Sequence, residues 1–258
     1  MISAVAQSRS RQGLRGGLAI GETDLVSVGS VIGAGVFQIS TLGWCDLAPN
    51  RTVRYEDRPG QSLRDAWSAV LARLGQHARD ARADGVIGVT VRERWTPSGQ
   101  LEIALSGTGY RLPSSPRLEK PFLSALSLRN FLSLLIGGWI PCGIAWGVGV
   151  EHVHGTQLSS VSSGVSFHNA EMAGPTLAVT GVRSQMRRDL LVSARGCRGE
   201  GLVAVSMEVH HQSQMCGSRI REGRVVWGRA LGTAITRFSD HALPFEVARN
   251  LTERLTDD

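Results

Sequence analysis

The apolar positions of this chain follow two different periods, and the change from one to the other predicts its elements. Residues 24–28 and 31–39 form apolar runs, which predict β structure with glycines at bulges or at close backbone contacts. Ser62 is a candidate N-cap, with Asp65 three residues later as in a capping box. A helix is predicted next, because apolar residues recur at helical spacing. Its predicted buried face consists of Leu63, Ala66, Trp67, Val70, Leu71, Leu74, Ala78 and Ala81.

A β-hairpin is predicted after this helix, and the same order of elements then occurs again. The hairpin consists of residues 86–92 and 101–110, joined by a Pro-Ser-Gly turn. Sliding residues 63–91 forward by 116 positions places apolar residues on apolar residues, including Val70 on Met186. A second long helix is therefore predicted from Gly174-Pro175 to about Arg198. The pattern predicts a tandem duplication of one small domain.

The remaining segments complete the predicted organisation. The second hairpin is expected at residues 202–210 and 225–236, and residues 130–134 are expected to match residues 24–28 of the first copy. The predicted boundaries are a disordered basic arm at 1–20, a first domain at 21–112, a linker at 113–120, a second domain at 121–239 and a C-terminal tail at 240–258. The tail contains a possible short helix at 244–255.

Residues 131–150 carry no charged side chain and have the length of a membrane span. Five glycines and the central Pro141 oppose one continuous helix. The segment is therefore predicted to form two buried strands joined by a Gly-rich turn, and no membrane span is expected.

The charge and the cysteines limit the function classes. The formal net charge is +6, and Arg9, Arg11 and Arg15 supply half of it from the N-terminal arm. Because the other basic residues are scattered, without interleaved aromatic residues, specific nucleic-acid binding is not expected. The four cysteines are far apart, and the first residues do not form a signal peptide. A cytoplasmic location with reduced thiols is therefore expected.

Several short motifs resemble the YbjQ-like family of bacterial proteins, often labelled heavy-metal-binding domains. In the first copy these are Gly33–Phe37, Ala83–Val89 and Ser106–Gly109; in the second they are Gly201–Val205 and Leu231–Ala234. The arrangement is similar to that of two-domain actinobacterial members and covers residues 21–238.

The resemblance implies an α+β fold of two small domains, each a mainly antiparallel sheet packed on one long helix. It also implies a homo-oligomeric ring, since single-domain relatives form pentamers, so five chains would supply ten domains in one ring or two stacked layers. The apolar strands independently favour assembly, because an exposed edge of this kind must be paired or covered. The resemblance supplies no catalytic residue.

Two histidine clusters are candidate metal ligands. His152 and His154 are two residues apart in a predicted strand, so they share a face at about 7 Å spacing. His210, His211 and Cys216 form the second cluster, although adjacent strand residues point to opposite faces. Zinc, copper or nickel would suit such ligands. The alternative is that they are polar residues where a strand leaves the core, and Cys142 and Cys197 are expected to be small core residues.

No enzyme motif is present, since the sequence contains neither a G-x-S-x-G elbow nor a phosphate-binding loop. The carboxylates Asp84, Glu93, Glu200 and Glu208 form no evident acid–base pair in the sequence. A non-enzymatic ring-forming scaffold or binding protein is therefore the leading expectation. A transition-metal-binding protein is the first alternative, and an unrecognised hydrolase is the second.

Overall fold

The computed structural model describes residues 25–39, 59–96, 100–111, 120–154, 173–216 and 221–237. The predicted arm at 1–20, most of the linker and the tail at 240–258 lie outside these residues. The chain is of mixed α+β type, with two sheets and three helices in the described part. The α+β class predicted from the sequence is therefore confirmed.

The first sheet is built from β1 (Val26–Gln38), β2 (Gly85–Trp95) and β3 (Gln100–Arg111), with the helix α1 (Pro59–Asp80) between β1 and β2. Strand β3 lies in the middle and pairs antiparallel with both neighbours. The two predicted runs at 24–28 and 31–39 are one strand, which contains an irregularity between Ser27 and Gly29. The predicted hairpin is confirmed, with longer strands.

The buried face of α1 agrees with the predicted spacing. Leu63, Trp67, Val70 and Leu74 are buried, whereas Leu71 is only partly buried. The predicted N-cap is wrong, because the helix begins at Pro59 and Ser62 lies inside it. Proline is well suited to the first turn, since its φ is already helical and its missing N–H has no partner there.

Residues 122–136 add two short elements. Strand β4 (Phe122–Leu123) pairs in parallel with the start of β2, and the helix α2 (Leu128–Ile136) follows. The predicted strand in the first half of 131–150 is therefore wrong. Ser127 caps α2 by accepting a hydrogen bond from the Asn130 N–H, and Phe131 stacks on Phe122 at 5.6 Å. No helix in the described residues is long and apolar enough to cross a membrane.

The second sheet is built from β5 (Trp139–His154), β6 (Gly201–Cys216) and β7 (Arg221–Arg237), with the helix α3 (Ala173–Gly196) between β5 and β6. Strand β7 lies in the middle, so the order β5-β7-β6 matches the order β1-β3-β2 of the first sheet. Both long helices therefore connect an outer strand to the opposite outer strand of a three-stranded antiparallel arrangement.

Backbone irregularities recur at the same places in both halves. The register between β2 and β3 shifts between Ile87 and Thr90, and the register between β6 and β7 shifts between Val203 and Ser206, 116 residues later. Arg82 and Arg198, also 116 residues apart, follow their helices with φ values of 56° and 57°. These shared details are more specific than the shared strand order.

Close contacts between helix and strand identify the true counterpart of β1. A Cβ at Gly33 would lie 2.5 Å from the Val70 carbonyl oxygen, and a Cβ at Gly147 would overlap the Met186 carbonyl oxygen. Only glycine allows these helices to approach so closely. Strand β5, not residues 130–134, therefore corresponds to β1, so the predicted match to residues 24–28 is wrong.

Candidate functional site

The two halves meet where α1 packs against the face of the second sheet that is opposite α3. Ile144, Val148 and Leu231 from this face belong to the same buried cluster as Val70 and Leu74 of α1. We call this surface the covered face of the second sheet and define it by Ile144, Trp146, Val148, Val150, Trp227, Arg229 and Leu231. Since α3 packs on the opposite face, the second sheet lies between two long helices.

Specific contacts fix this junction. Trp67 of α1 stacks on Trp146 of β5, with ring centroids 6.4 Å apart. Arg64 Nε lies 2.9 Å from Asp189 Oδ2, which joins α1 to α3. This ion pair is partly solvated, so its contribution is modest, about 0–1 kcal/mol. The stacked rings therefore matter more to the junction than this ion pair.

A cleft of about 850 Å³ opens beside the junction, between β2 and the second sheet. Four strands line it, β2, β3, β6 and β7, and three of them each supply a charged residue that lies two positions from a residue with a ring. These pairs are Glu93 with Trp95, Arg229 with Trp227, and Glu208 with His210. Because residues two apart in a strand share a face, the charges form one layer and the rings another.

The ring layer is continuous. His210 stacks on Trp227 with ring centroids 4.3 Å apart. Trp95 also packs against Trp227, with ring centroids 5.5 Å apart. Trp95 also packs against the buried cluster of Val150, Val225 and Trp227. The ring layer therefore seals the end of β2 against the second sheet.

Arg229 is the centre of the charge layer. Its Nε lies 2.9 Å from Glu93 Oε2, and its Nη2 donates a 2.7 Å hydrogen bond to Glu208 Oε2. The Nε contact is an ion pair by distance, but it is not aligned as a hydrogen bond. The side chains of Glu93 and Arg229 are only 6% and 10% exposed, whereas that of Glu208 is 49% exposed. Arg229 therefore links a buried carboxylate of one half to a surface carboxylate of the other.

Burial raises the pKa of Glu93, because a charged carboxylate is poorly solvated there. The Arg229 guanidinium opposes this increase, as does the indole of Trp67, while Glu208 adds to it. Glu93 Oε1 and Trp95 Nε1 are buried without a hydrogen-bond partner among the described residues. These atoms are therefore shielded from solvent, although Glu93 and Trp95 belong to residues that line the cleft.

Glu93 and Glu208, which form no evident acid–base pair in the sequence, both contact the Arg229 guanidinium. A sequence signal existed, since Glu93-Arg94-Trp95, Trp227-Gly228-Arg229 and Glu208-Val209-His210 each place a charge and a ring on one strand face. Their convergence depends on how the two halves pack, which the periodicity of each half does not encode.

The predicted metal ligands occupy separate places. His152 is buried and is not at the point where a strand leaves the core. His210 lies on the same face of the second sheet as His152. Strand β7 lies between the strands of these two histidines, so the strands are about 10 Å apart. His211 is exposed on the opposite face. The side chains of His154 and Cys216 are outside the described part.

Within the described ranges, no group of three or more His, Cys, Asp or Glu side chains could hold a metal ion. Metal binding through these histidines stays a prediction. Cys142 and Cys197 are partly buried against the α3 core, and burial raises the pKa of both thiols. They therefore fit the expected role of small core residues.

The surface equivalent to the covered face is exposed in the first sheet. We call it the open face of the first sheet and define it by Ile32, Ala34, Val36, Thr90, Arg92, Arg94, Glu102, Ala104 and Ser106. Ile32 and Val36 are 50% and 62% exposed. The outer side of α3 is also exposed, including Leu177, Leu191 and Val192. Within the described residues, the β1 part of the open face and the outer side of α3 are therefore exposed, whereas Arg92, Arg94, Glu102 and Ala104 of the open face border the cleft.

The outer edges of β1 and β5, in contrast, are covered within the chain. His77 of α1 accepts a hydrogen bond from the Ile32 N–H, and Arg73 donates to the Ala34 carbonyl oxygen. On β5, the Trp146 N–H is bonded to Ser193 of α3. The sequence argument that an apolar strand edge requires assembly therefore does not hold for these edges, because side chains from the helices satisfy them.

No protein-family model matches the chain, and no curated protein matches it either. The resemblance to the YbjQ-like family therefore rests on its short motifs and stays a prediction.

Proposed function

We propose that this chain is a non-enzymatic scaffold protein that arose by tandem duplication of a YbjQ-like unit and assembles into a closed ring. The duplication is supported by the shared strand order, the register shifts 116 residues apart and the matching glycine contacts. Two equivalent units that pack on each other unequally are typical of a fused segment of a symmetric assembly.

The observation that carries the proposal is the direction of the junction. The helix of the first unit covers a sheet face of the second unit, while within the described residues the β1 part of the equivalent sheet face of the first unit and the equivalent side of the second unit's helix are exposed. A head-to-tail contact of this kind repeats from copy to copy, and it ends only when the ring closes. Five chains would supply ten units to the assembly, twice the number in the pentameric single-domain relatives implied by the resemblance.

The chemistry of the junction supports a structural role. Alignment of the two strand registers places Trp227 and Arg229 on Glu102 and Ala104 of the first sheet. Within the described residues, the layers of charges and rings therefore occur in one of the two aligned positions only. A duplicated active site would be expected to keep its reactive groups in both copies.

Light scattering of the full chain tests the assembly. We expect a single closed species, with five chains, whose mass does not change with protein concentration. A monomer at micromolar concentration, or a mass that increases continuously with concentration, would contradict the proposal. The same preparation tests the metal-binding alternative: zinc, copper or nickel retained in stoichiometric amount by untagged protein would favour it.

A further inference from the structure

We propose that α3 of one copy packs on the open face of the first sheet of the next copy, in the geometry by which α1 packs on the second sheet within one chain. This inference rests on the proposed assembly and names its two surfaces. It is argued from equivalent positions in the two units.

On the sheet side, Ile32 occupies the position of Trp146. Each precedes a glycine that contacts its own helix, Gly33 or Gly147, and the backbone N–H of each is bonded to that helix. The bonding partners, His77 and Ser193, are 116 residues apart, as the helices themselves are. Trp146 is the residue that stacks on Trp67 in the junction, so Ile32 is expected to receive the equivalent residue of a neighbour.

On the helix side, Arg183 occupies the position of Trp67, 116 residues earlier. Arg187 and Thr180 occupy the positions of Leu71, which packs against the same buried cluster as Trp67, and of Arg64, which pairs with Asp189 of α3. All three α3 residues are exposed in the single chain. The docking side of α1 is therefore matched on α3 by a side that nothing in the described residues covers.

The proposed contact is more polar than the junction within the chain. The aliphatic stem of Arg183 would cover Ile32 while its guanidinium stays hydrated at the rim. Ala104 lies at the position that Arg229 has in the second sheet, and its smaller side chain leaves space there for the neighbouring helix. A polar contact suits surfaces that must remain soluble until two folded chains meet.

The contact is heterologous, because one copy supplies the sheet face and the other supplies the helix. This predicts complementation between two defective variants. Ile32→Asp damages only the sheet face, and Arg183→Asp damages only the helix face. Each variant alone is expected to be a folded monomer, since both positions are exposed. An equimolar mixture is expected to form a heterodimer through the one intact pair of surfaces.

Analytical ultracentrifugation of each variant and of the mixture measures these species. Asn130→Asp is the control for Ile32→Asp, because it adds the same single negative charge at an exposed position of α2, outside both surfaces, and it should assemble like the wild type. If the wild type assembles but either variant still forms the full ring, the named surfaces are wrong. A mixture that stays monomeric overturns the head-to-tail contact. A monomeric wild type overturns the proposed function itself.

Discussion

The open face of the first sheet and the covered face of the second sheet lie at matching positions of two sheets with the same strand order, but their environments differ. Trp146 is packed under α1, whereas the equivalent Ile32 is 50% exposed. Trp227 and Arg229 of the covered face correspond to Glu102 and Ala104 of the open face. The backbone plan is therefore preserved on both surfaces, while the side chains depend on what lies against them.

Core substitutions provide the largest expected effect and test whether the halves are physically equivalent. Val70 and Met186 are fully buried at equivalent positions of α1 and α3. Val70→Asp or Met186→Asp buries an unpaired charge, so each is expected to cost several kcal/mol of the ~5–15 kcal/mol that stabilises a typical domain. Soluble expression and thermal unfolding measure this.

The conservative variants Val70→Ala and Met186→Ala should each cost roughly 1–4 kcal/mol and remain folded. If Val70→Asp folds but Met186→Asp does not, the two helices do not have equivalent cores.

The junction provides the next effect, because the buried ion pair of Glu93 and Arg229 joins the two sheets. Arg229→Ala leaves Glu93 buried without its guanidinium, which is expected to cost about 3–5 kcal/mol. Arg94→Ala is the matched control, since Arg94 pairs with Glu102 at the surface, and it should cost at most about 1 kcal/mol. Urea unfolding of both variants checks the difference. Equal losses would remove the distinction between the two faces.

The register shifts provide a smaller effect with opposite signs in the two sheets. Gly88 has a φ of 70°, and the equivalent Ala204 has a φ of 51°, which is unfavourable for a residue with a Cβ. Ala204→Gly is expected to stabilise the chain by about 1 kcal/mol, and Gly88→Ala to destabilise it by a similar amount. Thermal unfolding curves of the two variants should shift in opposite directions; shifts of the same sign would contradict the equivalence.

The smallest effects concern the pH dependence of stability, which has opposite signs at one carboxylate of each half. Because the pKa of Glu93 is raised above its usual 4.5, ionised Glu93 opposes folding, so stability relative to Glu93→Gln should decrease as pH increases through the raised pKa. Hydrogen bonds from Thr236 and the Arg237 N–H lower the pKa of Glu200, so its contribution should be present above 4.5 and lost as pH falls below it.

Unfolding free energies of Glu93→Gln, Glu200→Gln and the wild type across the acidic range measure both profiles. If the stability difference from the wild type changes with pH in the same direction for both variants, the two opposite pKa shifts, raised by burial at Glu93 and lowered by hydrogen bonds at Glu200, are contradicted.

The sequence predicts each half better than it predicts how the halves meet. Helical spacing correctly identifies Leu63, Val70 and Leu74 as core residues, because one buried stripe suffices to define an amphipathic helix. It fails for residues 128–136, although Phe131, Leu132 and Ile136 are buried at helical spacing after the N-cap Ser127, because the uncharged, glycine-rich residues that follow favour strands for the whole of 131–150. The junction of Glu93, Glu208 and Arg229 depends on tertiary packing between distant strands, which no local pattern specifies.

The central claim is that the junction between halves repeats between chains, and cysteine cross-linking tests it most directly. The double variant Ile32→Cys and Arg183→Cys places one thiol on the open face and one on the outer side of α3. After mild oxidation, we predict disulfides between chains and a covalent ring of about five chains, identified by non-reducing electrophoresis and mass spectrometry of the linked peptides; each single variant should give none. A double variant that yields only monomers, or links at other cysteines, would contradict the account.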